Sequence, residues 1–111
     1  MAYIVNFYVE AGASFSRSVT YTNEDGTLFD LTDYSAELQV RETVQTETAA
    51  LTVTPSIDVE TATISWSFTP TQTSSLTASS YVYAMELTNE EDDSVIRLIQ
   101  GSLTISPEVV R

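Results

Sequence analysis

The chain predicts an all-β fold, a single antiparallel two-sheet sandwich over residues 1–111 with one short helical turn near 70–76, and three observations lead there. Apolar residues alternate with polar ones in about seven or eight short runs, which is the period of half-buried strands. Ser and Thr crowd the positions between the apolar residues, and Thr favours extended backbone. The chain has 111 residues and no Cys, enough for one core held by packing and hydrogen bonding alone.

Taken in order, Tyr3, Val5, Phe7 and Val9 alternate with Ile4, Asn6, Tyr8 and Glu10. The first set is expected to face the core, which directs Ile4 and Tyr8 away from it. Ala11, Gly12 and Ala13 break the pattern, and Phe15, Arg17, Val19 and Tyr21 then alternate with Ser14, Ser16, Ser18 and Thr20. Asn23-Glu24-Asp25-Gly26 is a turn, because Gly accepts positive φ and Asn and Asp imitate backbone turns with their side chains. It should hairpin the chain into Thr27, Leu28 and Phe29. Asp30-Leu31-Thr32-Asp33-Tyr34 reads as a corner in which Leu31 and Tyr34 plug the core while Asp30 and Thr32 satisfy local backbone groups.

Ala36, Leu38 and Val40, alternating with Glu37, Gln39 and Arg41, make a strand with one charged face. Residues 42–50 are a polar loop or exposed edge hairpin. Leu51-Thr52-Val53-Thr54 is a short strand that Pro55 ends or places at an edge. Ile64, Trp66 and Phe68 are the heaviest inward set. Thr69 is a fair N-cap and Pro70 a fair first helical residue. From Tyr81 the period switches to two, with Tyr81, Tyr83, Met85 and Leu87 on one face, which places this strand in the middle of a sheet. Residues 89–94 form an acidic hairpin loop, and residues 95–100 return as a strand that Gly101 bends or bulges before Leu103-Thr104-Ile105. Both Ile96 with Leu98 and the opposite set of Val95, Arg97 and Ile99 are apolar enough that this strand should be covered on both faces. Tyr81, just past a turn at the start of its strand, resembles the tyrosine corner of immunoglobulin-like sandwiches, and that topology is the expected one.

Charge and composition exclude whole classes of function. The net charge is −12, the four cations are all Arg, and neither Lys nor His occurs. Binding to nucleic acid or to an anionic membrane needs clustered Lys and Arg, so neither is expected as a partner. Without Cys or His, the commonest metal ligands and the commonest general base are missing. No G-x-S-x-G, no Gly-rich phosphate loop and no nucleophile paired with a base is present, so no catalytic residue, cofactor or metal site is expected and the chain reads as a non-enzyme. Residues 90–93 are acidic enough to consider for calcium, but they read as a solvated hairpin tip. The opening segment lacks the cationic start and apolar run of a signal peptide.

Several segments, in this order, carry a resemblance. They are an aromatic opening strand, Gly12-Ala13-Ser14-Phe15-Ser16-Arg17, Asp30-Leu31-Thr32-Asp33-Tyr34-Ser35-Ala36-Glu37-Leu38-Gln39-Val40-Arg41, a Thr-rich turn before Leu76, Tyr81-Val82-Tyr83 with Glu86-Leu87, and Arg97-Leu98-Ile99-Gln100-Gly101 running into Ser106-Pro107-Glu108-Val109. In this order the chain resembles small structural proteins of tailed bacteriophages, above all the N-terminal sandwich domain of phage baseplate upper proteins. The family often carries Gly where Asp33 stands and near Ser79-Ser80. The resemblance implies a virion protein, made in the host bacterial cytoplasm, that serves as a docking or scaffold module of the tail or baseplate, at a fibre attachment. The alternatives are a capsid decoration protein and a receptor- or glycan-binding tip domain. Its partners would be other virion proteins and copies of itself in a symmetric assembly. The expected interface residues are Ile4, Tyr8, Arg17, Arg41, Ile96, Arg97, Leu98, Val109 and Val110, the Arg residues because guanidinium pairs carboxylates bidentately across interfaces.

Overall fold

The computed structural model describes residues 3–107. They form nine strands in two sheets and one short helix: β1 (Tyr3–Ile4), β2 (Phe7–Glu10), β3 (Phe15–Thr20), β4 (Tyr34–Arg41), β5 (Leu51–Val53), β6 (Ser56–Asp58), β7 (Thr63–Phe68), α1 (Pro70–Ser74), β8 (Ser80–Asn89) and β9 (Val95–Ser106). The larger sheet runs β1-β9-β8-β4-β5, with β2 following β1 along the same side of β9. The smaller sheet runs β3-β7-β6.

The larger sheet corrects one expectation, because it is mixed rather than antiparallel. β1 and β2 both run parallel to β9, while every other pair is antiparallel. Antiparallel neighbours can be joined by a tight hairpin, whereas parallel ones need a long crossover. Here the crossover is everything between Glu10 and Val95, so no local turn signal announces the pairing.

Alternation explains the core. In β8, Tyr81, Tyr83, Met85 and Leu87 are buried and the residues between them are not, and β8 lies between β4 and β9 as its composition predicts. Leu38, Val40, Leu103 and Ile105 join them from the same sheet, and Phe15, Ile64, Trp66 and Phe68 from the other, in one apolar cluster. Aromatic edges tie the sheets together, the Phe7 ring lying 5.7 Å from Phe15 and 6.0 Å from Trp66, and within the smaller sheet Phe15 stacks on Phe68 at 5.5 Å.

The helix starts where the residues say it should. Thr69 caps it, its hydroxyl accepting from the Gln72 N–H while the Gln72 side chain accepts from the Thr69 N–H at 2.9 Å, and Pro70 takes the first turn. Two orphan donors are thereby satisfied reciprocally. Thr73 is fully buried and reaches out of the helix to the chain between β2 and β3, accepting from Gly12 N–H at 3.0 Å and donating to the Ala13 carbonyl at 3.0 Å. Past the helix, the Tyr81 hydroxyl accepts from Ala78 N–H at 2.9 Å and braces the corner before β8. Asp33 sits at φ 66°, a left-handed conformation that Asp tolerates better than most residues. Only an isolated bridge between Thr22 and Leu28 forms after the Asn23-Glu24-Asp25-Gly26 turn, so the expected hairpin is one bridge long.

The bulge falls elsewhere than expected. The register of β8 with β9 shifts between Met85 and Glu86, which pair with Ile99 and Arg97 and leave Leu98 as the extra residue. A bulge puts two neighbouring residues on the same side of the sheet, and Leu98 and Ile99 are buried side by side. The two-faced look of this strand is therefore the signature of a one-residue slip, not of cover on both faces. Gly101 has a different task, set out below.

Candidate interaction surface

Residues 3–10 follow β9 in one register, from Tyr3 opposite Ile99 to Glu10 opposite Ser106. The ladder is interrupted only at Val5 and Asn6, and there three bonds hold the strand. Val5 N–H donates to the Gln100 carbonyl at 2.9 Å, the Val5 carbonyl accepts from the Tyr83 hydroxyl at 2.6 Å, and the Asn6 Oδ1 accepts from Ser102 N–H at 3.0 Å. Burial pushes the Tyr83 phenol well above its ordinary range, which keeps it protonated as the donor. Gly101 lies directly beneath, and a Cβ there would collide with the Val5 carbonyl. The strand can lie this close to β9 because position 101 has no side chain.

Among the described residues, the opposite side of this strand is a free sheet edge. Ile4 and Tyr8 point away from the core and are 73% and 76% exposed. Tyr3 was expected inside and is 66% exposed. It overhangs an open cleft of about 440 Å³ between the two sheets, lined by Val5, Val19, Tyr21, Leu98 and Ile99 among others, so its inward parity meets no packed neighbour.

Behind the edge, the outer face of the larger sheet forms an open trough of about 620 Å³ to which Ile4, Gln39, Arg41, Val82, Glu86 and Arg97 contribute. Three of the expected interface residues, Ile4, Arg41 and Arg97, thus share one surface. The two Arg residues already have partners. Arg97 lies 3.6 Å from Glu86 in an exposed pair, a contact worth about 0–1 kcal/mol. Arg41 donates to the Thr46 and Glu47 carbonyls at 2.8 and 2.7 Å and to the Gln39 side chain at 2.6 Å, fastening the loop that joins β4 to β5.

Arg17 is not on this face. Its Cα pairs with buried Trp66, so it occupies a core-facing position on edge strand β3, and its guanidinium escapes by lying 4.4 Å above the Phe15 ring. Ile96 is half-buried against the core and Leu98 is 4% exposed, so both are used within the domain. Val109 and Val110 lie outside the described residues. Periodicity missed Val44, exposed on the β4–β5 loop, because an isolated valine there carries no pattern, and Val95, expected to be covered, is exposed at the start of β9.

The acidic loops are occupied with their own backbones. Asn89 Oδ1 accepts from Glu91 N–H, and Asp92 Oδ1 from Ser94 N–H at 2.9 Å. Asp25 accepts from both the hydroxyl and the N–H of Thr27, at 2.6 and 3.0 Å. Among the described residues no group of three acidic side chains is placed to hold a metal ion.

These turn bonds hold the carboxyls of Asp25, Asp30 and Asp92 below the ordinary value of 3.8. The cause is first the Thr27 hydroxyl for Asp25, the Thr32 hydroxyl for Asp30 and the Ser94 N–H for Asp92. Hydrogen bonding to the charged form favours it. Since the folded pKa is depressed, the turns draw stability from it above the unfolded value, and that stability is lost as pH falls through the lower folded value. NMR titration of the side-chain carboxyls is expected to give midpoints below 3.8 at these three residues; midpoints at or above that value would mean the turns are open in solution.

No family model matches the chain, and no curated protein is significantly similar to it.

Proposed function

We propose that the chain is an immunoglobulin-like sandwich acting as a non-enzymatic structural protein of a bacteriophage virion, a docking module of the tail or baseplate that attaches through the open edge of β1 and β2. The observation that carries this reading is that edge itself. Over residues 3–9 it is uncharged on a chain of net charge −12, and it exposes Tyr3, Ile4 and Tyr8 together. Soluble domains blunt such edges, and one left open is a template for pairing with another chain.

The absence of His, Lys and Cys from the whole sequence supports a structural rather than catalytic role. Against a glycan-binding tip stand the burial of Trp66, Tyr81 and Tyr83 and the placing of the exposed Tyr3 and Tyr8 along a strand edge instead of together at one loop end. A decoration role on the capsid would use the same edge, and a reconstruction of the particle separates the two positions.

The test is Tyr8→Asp, which puts a charge in the middle of the edge and touches nothing in the core. Incorporation into particles is expected to fall about tenfold or more, while stability of the isolated chain shifts by no more than about 0.5 kcal/mol. Normal incorporation of a folded Tyr8→Asp chain would sink the docking role of this edge.

A further inference from the structure

Four strand positions among the described residues have an unpaired side: β5, β6, β3 and the β1/β2 run. The first three carry known defences against edge pairing. β5 and β6 are three residues each, with Pro55 between them, and β3 bears the inward-placed Arg17. The β1/β2 run has no Pro, no cation and no charge before Glu10.

Its backbone is set up for a particular register. Val5 N–H and Ala11 N–H both donate into β9, to the carbonyls of Gln100 and Ser106. The Glu10 carbonyl is already taken by the Ala13 N–H at 3.2 Å; along a strand the peptide groups of successive residues point to opposite sides, so those of Ile4, Asn6 and Tyr8 face the open edge. An antiparallel partner that pairs even positions with even positions would meet them all.

Resting on the reading of this edge as a docking surface, we infer that its occupant is the same edge of a second copy, antiparallel about a two-fold axis at Asn6. In that register Asn6 opposes Asn6, and Ile4 of each copy opposes Tyr8 of the other in hydrogen-bonded pairs. An isologous contact must be self-complementary, and an aliphatic residue against an aromatic one is a favourable cross-strand pair. Charge selects both occupant and register. Two chains of net charge −12 repel, and this edge lets them meet through neutral residues. Centring on Asn6 keeps the two Glu10 carboxylates at opposite ends, about 27 Å apart at roughly 3.4 Å per residue, whereas sliding the axis to Tyr8 or beyond brings them together. A strand contact of this length buries less than the roughly 1,000 Å² of a free-standing specific interface. The pair is therefore weak alone and gains from copies being held on a common assembly.

The experiment uses two single variants, Ile4→Cys and Tyr8→Cys, both at exposed positions of a chain with no Cys of its own. Opposed residues of a hydrogen-bonded pair have Cα atoms about 5.5 Å apart, within disulfide reach. Ile4 to Ile4, or Tyr8 to Tyr8, is about 14 Å. Under mild oxidation an equimolar mixture of the two variants is expected to form disulfide-linked dimer at least about tenfold faster than either variant alone, and faster still at high salt, which screens the repulsion. Homotypic linkage as fast as the mixed reaction would overturn the register. No linkage in any combination would overturn pairing between copies; if Tyr8→Asp still blocked incorporation, the edge would remain a docking surface whose occupant is another protein's strand.

Discussion

Gly101→Ala is expected to be among the most damaging single substitutions in the chain, costing about 3 kcal/mol or more although it adds one methyl group. Overpacking ordinarily costs about 1–3 kcal/mol, and the lower figures belong to sites where a flexible side chain gives way. At position 101 the obstacle is backbone: the added Cβ would meet the Val5 carbonyl carbon and oxygen, with the Asn6 side chain beside them. Relief requires lifting residues 5 and 6 off β9, which loses the bonds from Tyr83 and Ser102 to that segment. Urea unfolding measures the cost. Hydrogen exchange provides the sharper check, because the Val5 and Ser102 amides should lose protection before those of β4 and β8. A Gly101→Ala chain as stable as the parent would mean the edge strand does not lie this close to β9.

Thr73→Val is the second large effect, expected at about 2–4 kcal/mol despite preserving shape. The Thr73 hydroxyl serves three backbone groups, accepting from Gly12 N–H and donating toward the carbonyls of Ala13 and Pro70 at 3.0 and 3.1 Å. It has one proton to share between those two carbonyls. Removing it strands part-buried donors and acceptors, where a fully buried one costs about 1–3 kcal/mol, in a molecule where no buried side-chain polar atom among the described residues is otherwise unpartnered. Gly12, at φ 84°, is where the chain leaves the larger sheet for the smaller one. Thermal unfolding of Thr73→Val against Thr73→Ser separates the hydroxyl from the methyl: Ser should recover most of the loss. A Thr73→Val chain as stable as the parent would mean that the hydroxyl holds nothing in place.

The strands were legible because each buries one face, so period two is written directly into Ile64-Trp66-Phe68 and Tyr81-Tyr83-Met85-Leu87. The cap was legible too, since Thr69 and Pro70 act through their own covalent structure. What periodicity could not report was direction and slip. Nothing local distinguishes a parallel from an antiparallel neighbour for Tyr3 to Glu10, because the partner is at the far end of the sequence. The one-residue slip at Leu98 imitates a strand with two apolar faces. Arg17 shows the converse limit: its parity says core and its charge says solvent, and an edge position satisfies both. Of the candidate surface, Ile4 and Tyr8 followed from alternation alone. The open trough behind them needed the sheet order, which brings Arg41 and Arg97, far apart in sequence, onto one face.

The parallel seating of β1 and β2 also governs when the protein can finish folding. During synthesis Tyr3 emerges well before its pairing residue Ile99 and the glycine that makes room for Val5. Strand pairings of such long sequence separation are slow to close, and transiently unpaired strand edges are where nascent chains associate wrongly. This aromatic strand must therefore wait, unsheltered, until residues 99–106 have been made. The neutral segment whose open edge we propose as a docking surface is thus the one left exposed during that interval.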